Sequence, residues 1–172
     1  MKKILLLVLG LGLILGGCAG ASKFTKTDMD KAVAAVKAEY GENYIPSNPI
    51  NATQLEEVMK VKAADVEAFY AEGPLMSMNV DTFIAVLAKD GKVEDVKKAL
   101  EDYRDYLIND GFNYPMNMDK VKATQVLVEG NLVFFLLLGN YDDRSDATEA
   151  ERTEFAEAEV QRGVDAILEA LK

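Results

Sequence analysis

The stretch ATQVLVEGNLVFFLLL, residues 123–138, decides the fold of this chain. Its Gly130-Asn131 pair separates two runs, Ala123 to Glu129 and Leu132 to Leu138, and such a two-residue turn is typical of a β-hairpin. Every position of the second run is apolar, which indicates a strand with both faces buried. The run is too short to cross a bilayer, because a spanning helix needs about 20 residues. We therefore predict a central strand that helices cover on at least part of both sides.

A third strand and a long helix precede this hairpin. Asp81 to Lys89 contains the β-branched and aromatic run TFIAVL, which favours a strand. Lys92 to Asn109 predicts a helix, because its apolar residues recur every three or four positions. The pattern predicts an α+β fold: a small, mainly antiparallel sheet with a β-α-β-β core, packed with helices. The other predicted segments are helices at Thr27 to Tyr40, Ala52 to Lys60 and Ala63 to Ala71, a loop at Phe112 to Met118, and a long C-terminal helix at Thr148 to Leu171.

Four segments between residues 73 and 138 carry a resemblance to a known family. They are PLMSMNV (74–80), IAVLAKDG (84–91), the helix from Val93 to Leu107, and VLVEGNLVFF (126–135). Together they resemble a family of uncharacterised cell-surface lipoproteins from Gram-positive bacteria that is defined by a domain of unknown function. The resemblance implies surface anchoring, a helix between strands and a closing hairpin. It implies no known activity, substrate or catalytic residue.

Cys18 is the only cysteine, and it follows Gly16-Gly17 and a short apolar run that begins after Lys2 and Lys3. This arrangement is typical of a lipoprotein signal, in which the cysteine becomes the lipidated first residue of the mature protein. Two acyl chains, such as palmitate, are enough for stable anchoring. The alternatives are a signal peptide without lipidation and a buried helix with an incidental cysteine. We predict a signal peptide at 1–17, a lipidated tether at 18–27 and a single α+β domain at 28–172, anchored on the extracytoplasmic face of the cell membrane.

The composition excludes several kinds of chemistry. The chain has no histidine, which excludes Ser-His-Asp and Cys-His catalysis and the usual zinc sites. The single cysteine is assigned to the lipid, so thiol catalysis and disulfides are not expected. The whole chain carries a net charge of −10, and this argues against nucleic-acid binding, which needs a basic surface. We predict no cofactor and no catalytic residue.

Two Met-x-Met pairs are candidate ligands for a soft metal ion. Met76 and Met78 follow Pro74 in the sequence, and Met116 and Met118 follow Pro115. Thioether sulfurs are soft ligands that suit Cu(I). The alternative is that these methionines fill irregular gaps where loops meet the sheet.

Two further clusters have structural as well as functional interpretations. The acidic residues Asp142, Asp143, Asp146, Glu149 and Glu151 could bind calcium, but they lack the spacing of an EF-hand and also suit the start of a helix. The aromatic residues Tyr103, Tyr106, Phe112 and Tyr114 could line a ligand groove or belong to the core.

We therefore expect a membrane-anchored module that binds a ligand or a partner protein, rather than an enzyme. One alternative is an accessory subunit that docks another envelope protein through the helix Thr148 to Leu171. An exposed apolar stripe on that helix would support the alternative. A third hypothesis is a hydrolase that uses two carboxylates, which would have to converge about 5–10 Å apart in a pocket.

Overall fold

The computed structural model describes residues 23–172 and, within them, a single sheet of five antiparallel strands. The strands are β1 (Asn48–Pro49), β2 (Val66–Gly73), β3 (Thr82–Ala88), β4 (Gln125–Glu129) and β5 (Leu132–Leu137). Their order across the sheet is β1-β2-β3-β5-β4. The predicted α+β class is confirmed, and the predicted crossover places β3 beside β5.

Strands β3 and β5 are buried on both faces, which explains their continuous apolar sequences. Successive side chains of a strand point to opposite faces, so each strand contributes to two cores. On one face Phe83 and Phe134 belong to one hydrophobic cluster, and on the other face Ile84 and Phe135 belong to a second cluster. The sheet is therefore the middle layer of a three-layer structure.

Helices form the two outer layers. Within residues 23–172 they are α1 (Lys26–Tyr40), α2 (Ala52–Glu57), α3 (Val93–Asn109), α4 (Met118–Ala123) and α5 (Glu149–Ala170). Helices α1 and α5 cover one face of the sheet, whereas α2, α3 and Val121 of α4 cover the other. Helix α1 begins with a capping box between Thr25 and Asp28, two residues before the predicted pair.

The predicted helix from Ala63 to Ala71 is wrong, because most of this segment is strand β2. A register shift between Val66 and Ala68 marks a bulge in the pairing of β2 with β3. The bulge leaves Val66 and Phe69 on the same face of the sheet. Their three-residue spacing imitates a helical repeat, although it arises here from an extended chain.

Two further elements were not predicted. The short strand β1 lies in the connection after α1 and pairs with β2 at one edge of the sheet. Helix α4 follows a 3₁₀ turn at Pro115–Asn117, at the end of the segment predicted as a loop. The closing hairpin is as predicted: Glu129 pairs with Leu132, and Gly130 has a φ of +56°, as the first central position of a type II′ turn requires.

The two ends of the sheet differ in what they carry. At the end where β3 stops, the side chain of Asn131 accepts a hydrogen bond from the backbone N–H of Phe24 at 2.6 Å and donates one to its carbonyl at 3.0 Å. We call this the proximal end, because the described chain starts there. At the distal end, where β3 begins, Thr82 pairs with Leu137 of β5. The seven residues of β3 separate the two ends by about 20 Å.

The predicted signal peptide at 1–17 and the lipid-bearing Cys18 lie outside the described residues. Residues 23 and 24 of the predicted tether contact the domain, and the helix begins at Lys26. In the part of the chain from residue 23 onward, no helix has the length and apolar character needed to span a bilayer.

Candidate functional site

Three loops meet at the distal end of the sheet. They connect β2 to β3 (residues 74–81), α3 to α4 (110–117) and β5 to α5 (138–148). Helix α3 and strand β5 run toward this end, whereas β3 runs away from it, so the antiparallel topology brings together residues that are far apart in sequence. This end therefore collects side chains from loops that span residues 74–148 of the chain.

Asn117 holds the three loops together. Its side-chain amide donates a hydrogen bond to the carbonyl oxygen of Met78 at 3.0 Å. Its side-chain oxygen accepts a hydrogen bond from the hydroxyl of Tyr141 at 2.7 Å. Asn117 is fully buried, so water does not compete for either of these hydrogen bonds. A single side chain thus fixes all three loops.

A buried ion pair lies beside Asn117. The Nζ of Lys120 is 2.7 Å from Oδ1 of Asp81, and the two side chains are only 3% and 1% exposed. The ring of Tyr141 covers the ammonium group, with Nζ 4.4 Å from the ring centroid. Burial raises the pKa of Asp81, although Lys120 opposes this effect. The pair anchors α4 against the first residues of β3.

The second oxygen of the Asp81 carboxylate is buried and has no hydrogen-bond partner among the described residues. A buried carboxylate oxygen without a partner is costly, because desolvation is not compensated. This arrangement keeps a polar group next to the distal loops at a cost in stability. It is the kind of local compromise that functional sites often contain.

A pocket of about 460 Å³ opens between α4 and the start of α5. We call it the distal pocket. Its lining includes Met116, Met118, Lys120, Tyr141, Arg152 and Phe155. It therefore combines apolar walls with a few polar groups, which is the usual character of a ligand site.

Two of the three acidic side chains that line this pocket, Asp119 and Asp142, are paired with arginines, whereas the third, Glu149, is exposed. Asp119 lies 3.5 Å from Arg152, and Asp142 lies 2.6 Å from Arg144. The hydrogen bond from Arg144 lowers the pKa of Asp142. A carboxylic acid that is to donate a proton needs a raised pKa instead. The arginine partner therefore makes Asp142 a poor general acid.

Large apolar side chains are exposed around the pocket. Among the residues that the structure describes, ten large apolar or aromatic side chains are exposed, and seven of them lie in the distal loops. Phe112 is 89% exposed and Leu75 is 75% exposed. We define the distal patch as the following six of these seven: Leu75, Met76, Met78, Phe112, Tyr114 and Met116. Such a concentration of exposed apolar side chains usually marks an interaction site.

The two Met-x-Met pairs are brought together by the fold. Asn117 is the central residue of one pair, and it bonds to the backbone of Met78 in the other pair. Met76, Met78 and Met116 are each more than half exposed. Methionines that fill gaps in a core are buried, so gap-filling does not account for these three.

The predicted aromatic group divides between core and surface. Tyr103 packs on Phe135, with ring centroids 5.4 Å apart. Phe112 and Tyr114 contact each other edge to face at 5.7 Å and stay exposed. Phe112 and Tyr114 therefore belong to the distal patch, and Tyr103 belongs to the core.

Two members of the predicted acidic group have structural roles. Glu151 forms a capping box with Thr148 at the start of α5. Asp142 is engaged by Arg144. Within residues 23–172, no group of three or more acidic, cysteine or histidine side chains is arranged to hold a metal ion.

The sequence did not reveal Asp81, Asn117, Lys120 or Tyr141 as site residues. Asp81 and Lys120 are 39 positions apart, and Lys120 lies in a helix that was not predicted. The one available signal was the presence of an acidic residue directly before a strand that is apolar after its first residue, Thr82. That signal identifies Asp81 but not its partners.

A family model defined as a domain of unknown function, DUF4358, matches residues 26–138. This chain belongs to the DUF4358 family. The match is wider than the resembling segment 73–138, because it includes α1, β1 and β2. The DUF4358 region contains Asp81, Asn117, Lys120 and the whole distal patch, whereas Tyr141 and α5 lie beyond it. No curated protein and no solved structure matches the chain.

Proposed function

We propose that this DUF4358 protein is a lipid-anchored extracytoplasmic lipoprotein of a Gram-positive cell envelope, and that it binds a partner or ligand at its distal end. The observation that carries the proposal is the separation between the start of the domain and the candidate site. Phe24 is bonded to Asn131 at the proximal end, whereas the distal patch and pocket lie about 20 Å away.

This separation sets the orientation of an anchored domain. Cys18 is five residues from Lys23, and five residues span at most about 18 Å. A lipid on Cys18 would therefore keep the proximal end near the bilayer. The distal patch would face away from the membrane, where other envelope molecules could reach it.

The alternative docking surface, on α5, is less well supported. Its apolar residues Val160, Val164 and Ile167 are buried in the cluster between α5, α1 and the sheet. An exposed stripe would have supported docking through this helix. The exposed apolar surface lies instead in the distal loops.

The anchor is tested by Cys18→Ala, with Ser22→Ala as a matched control. We expect Cys18→Ala to abolish acyl labelling and to leave the protein unprocessed or released from the membrane fraction. The control should be labelled and retained like the wild type. Unchanged labelling and retention of Cys18→Ala would refute the anchoring.

The binding site is tested by photo-crosslinking in intact cells. A photoreactive residue replaces Leu75 in the distal patch or, as a control, exposed Val58, which lies outside the three distal loops. We expect discrete crosslinked products from position 75 and none of the same size from position 58. Identical products from both positions, or none from position 75, would contradict a distal binding site.

Cu(I) binding is a second candidate, because the fold joins the two Met-x-Met loops and leaves three of the four methionines exposed. The test is competition for Cu(I) against a chromogenic chelator. A variant with all four methionines replaced by leucine keeps the apolar surface but removes the thioethers. We expect this variant to lose Cu(I) if the candidate is right. Equal competition by wild type and variant would exclude it.

A further inference from the structure

The distal patch is apolar at its centre and acidic around it. The loop residues 74–80 contain no charged side chain. Residues 110–119 and 139–149 contain six carboxylates and a single basic residue, Arg144. The carboxylates belong to Asp110, Asp119, Asp142, Asp143, Asp146 and Glu149.

Arg144 does not neutralise this surface. Its guanidinium is held by Asp142 at 2.6 Å, and Arg152 at the edge of the pocket faces Asp119 at 3.5 Å. Asp110, Asp143 and Asp146 are exposed, and no ion pair engages them within residues 23–172. A segment that covers the patch would therefore meet uncompensated negative charge at its edges.

A membrane surface is a poor occupant for the patch. Anionic headgroups would be repelled by these carboxylates, since lipid surfaces attract basic segments and not acidic ones. The patch also lies at the end of the sheet opposite to Phe24, the end that the proposed anchor would hold near the bilayer. A partner protein fits both observations better.

We propose that the distal patch docks a partner segment in which apolar side chains are flanked by lysines or arginines. The apolar side chains would cover Leu75, Phe112 and the methionines, which adapt to varied shapes because the methionine side chain is unbranched and polarisable. The basic residues would pair with the surrounding carboxylates, which would speed association and fix the register. This inference rests on the proposed binding function and adds the chemistry of the partner.

The test uses the full lipidated chain in nanodiscs of neutral phosphatidylcholine. The probe is a labelled seven-residue peptide with Leu-Phe-Leu between two pairs of lysines. A second probe replaces the lysines with glutamates, and a third replaces the apolar core with Ser-Gly-Ser. We expect the first probe to bind at least tenfold more tightly than either of the others, as measured by fluorescence anisotropy.

Protein variants distinguish the patch from the overall negative charge of the protein. Leu75→Ser combined with Phe112→Ser should weaken binding of the first probe at least tenfold, whereas Val58→Ser should leave it unchanged. Circular dichroism should show the wild-type fold for all variants, since these positions are exposed.

Three outcomes would overturn the proposal. The first is equal binding of both lysine probes, which would mean attraction by net charge alone. The second is equal binding by wild type and the Leu75→Ser/Phe112→Ser variant. The third is patch-dependent binding of the Cys18→Ala chain to anionic phosphatidylglycerol vesicles, which would mean a lipid occupant. If position 75 still crosslinks in cells while these probes fail, the binding function stands and only the partner chemistry is wrong.

Discussion

The ammonium group of Lys120 lies 2.7 Å from the carboxylate of Asp81, inside the protein and beneath the ring of Tyr141. Lys120 lies in α4, and Asp81 is the residue directly before β3. Their contact joins the helix that lines the distal pocket to the centre of the sheet. A change in either residue should therefore affect both stability and the shape of the pocket.

Replacement of Lys120 by methionine should lower the free energy of unfolding by about 3–5 kcal/mol, because it leaves the carboxylate of Asp81 buried without a counter-charge. The double variant Lys120→Met/Asp81→Leu should recover most of this loss, since no buried charge remains. Urea unfolding at neutral pH measures both. A double variant no more stable than Lys120→Met would show that the lost packing of the lysine side chain is the main cost.

Gly139→Ala should destabilise the loop between β5 and α5. Gly139 has a φ of +124°, and an added Cβ would lie 2.6 Å from the Cβ of Glu159. Strain and overpacking together should cost about 2–4 kcal/mol. Gly91→Ala is the matched control, because φ is +74° there but no atom lies within 4 Å of the added Cβ. It should cost about 1–2 kcal/mol, from the backbone alone. Equal losses in urea unfolding would contradict the predicted steric contact.

Glu159 should contribute to stability in a pH-dependent way. Burial raises the pKa of Glu159, but the backbone N–H of Asn140 and the guanidinium of Arg162 more than offset burial, so the pKa lies below its usual value. A lowered carboxyl pKa stabilises the folded state above the unfolded pKa, and the contribution disappears as the pH falls through the folded pKa. Its loss should therefore begin below about pH 4.5.

The variant Glu159→Gln isolates this effect. At pH 7 it should be less stable than the wild type by about 1–3 kcal/mol, because the hydrogen bonds to a charged acceptor are weakened. The difference should shrink as the pH falls through the folded pKa of Glu159. Thermal unfolding between pH 7 and pH 3 measures it. A constant difference over this range would mean that the charge of Glu159 is unimportant.

Asn131→Ala should release the start of the domain from the hairpin turn. The variant loses both hydrogen bonds to the backbone of Phe24, at 2.6 and 3.0 Å. Each bond is worth about 1 kcal/mol, so amide exchange at Phe24 should become faster, while that of Val33 within α1 stays slow. The control is Asn109→Ala, which removes only a bond to Asp105 within α3. Unchanged exchange at Phe24 in Asn131→Ala would show that other contacts hold this segment.

The layered core could be predicted because its signals are local. The hairpin needs only a two-residue turn and two apolar runs. The sequence of strand β5 predicts burial on both faces because every position is apolar. Strand β2 could not be predicted, because its bulge places Val66 and Phe69 on one face with a helical spacing. Helix α4 is too short, at six residues, to give a recognisable period.

The candidate site depends on contacts between distant parts of the chain. Asn117 bonds to Met78 across 39 positions, and Phe24 bonds to Asn131 across 107 positions. Neither pairing leaves a local pattern, since each partner alone resembles an ordinary loop residue. The exposure of Leu75 and Phe112 also follows from tertiary packing, because apolar residues of this kind are usually expected in a core.

The sequence by itself determined the lipobox-like segment around Cys18, the acidic composition, the hairpin and the doubly buried strand, because each depends on residue type and near neighbours. Only the tertiary structure decided that Phe24 lies at one end of the sheet and that the methionines, Phe112 and the Lys120–Asp81 pair meet at the other. The physical reason is the antiparallel topology. It reverses the chain at each strand and so gathers three sequence-distant loops about 20 Å from Phe24.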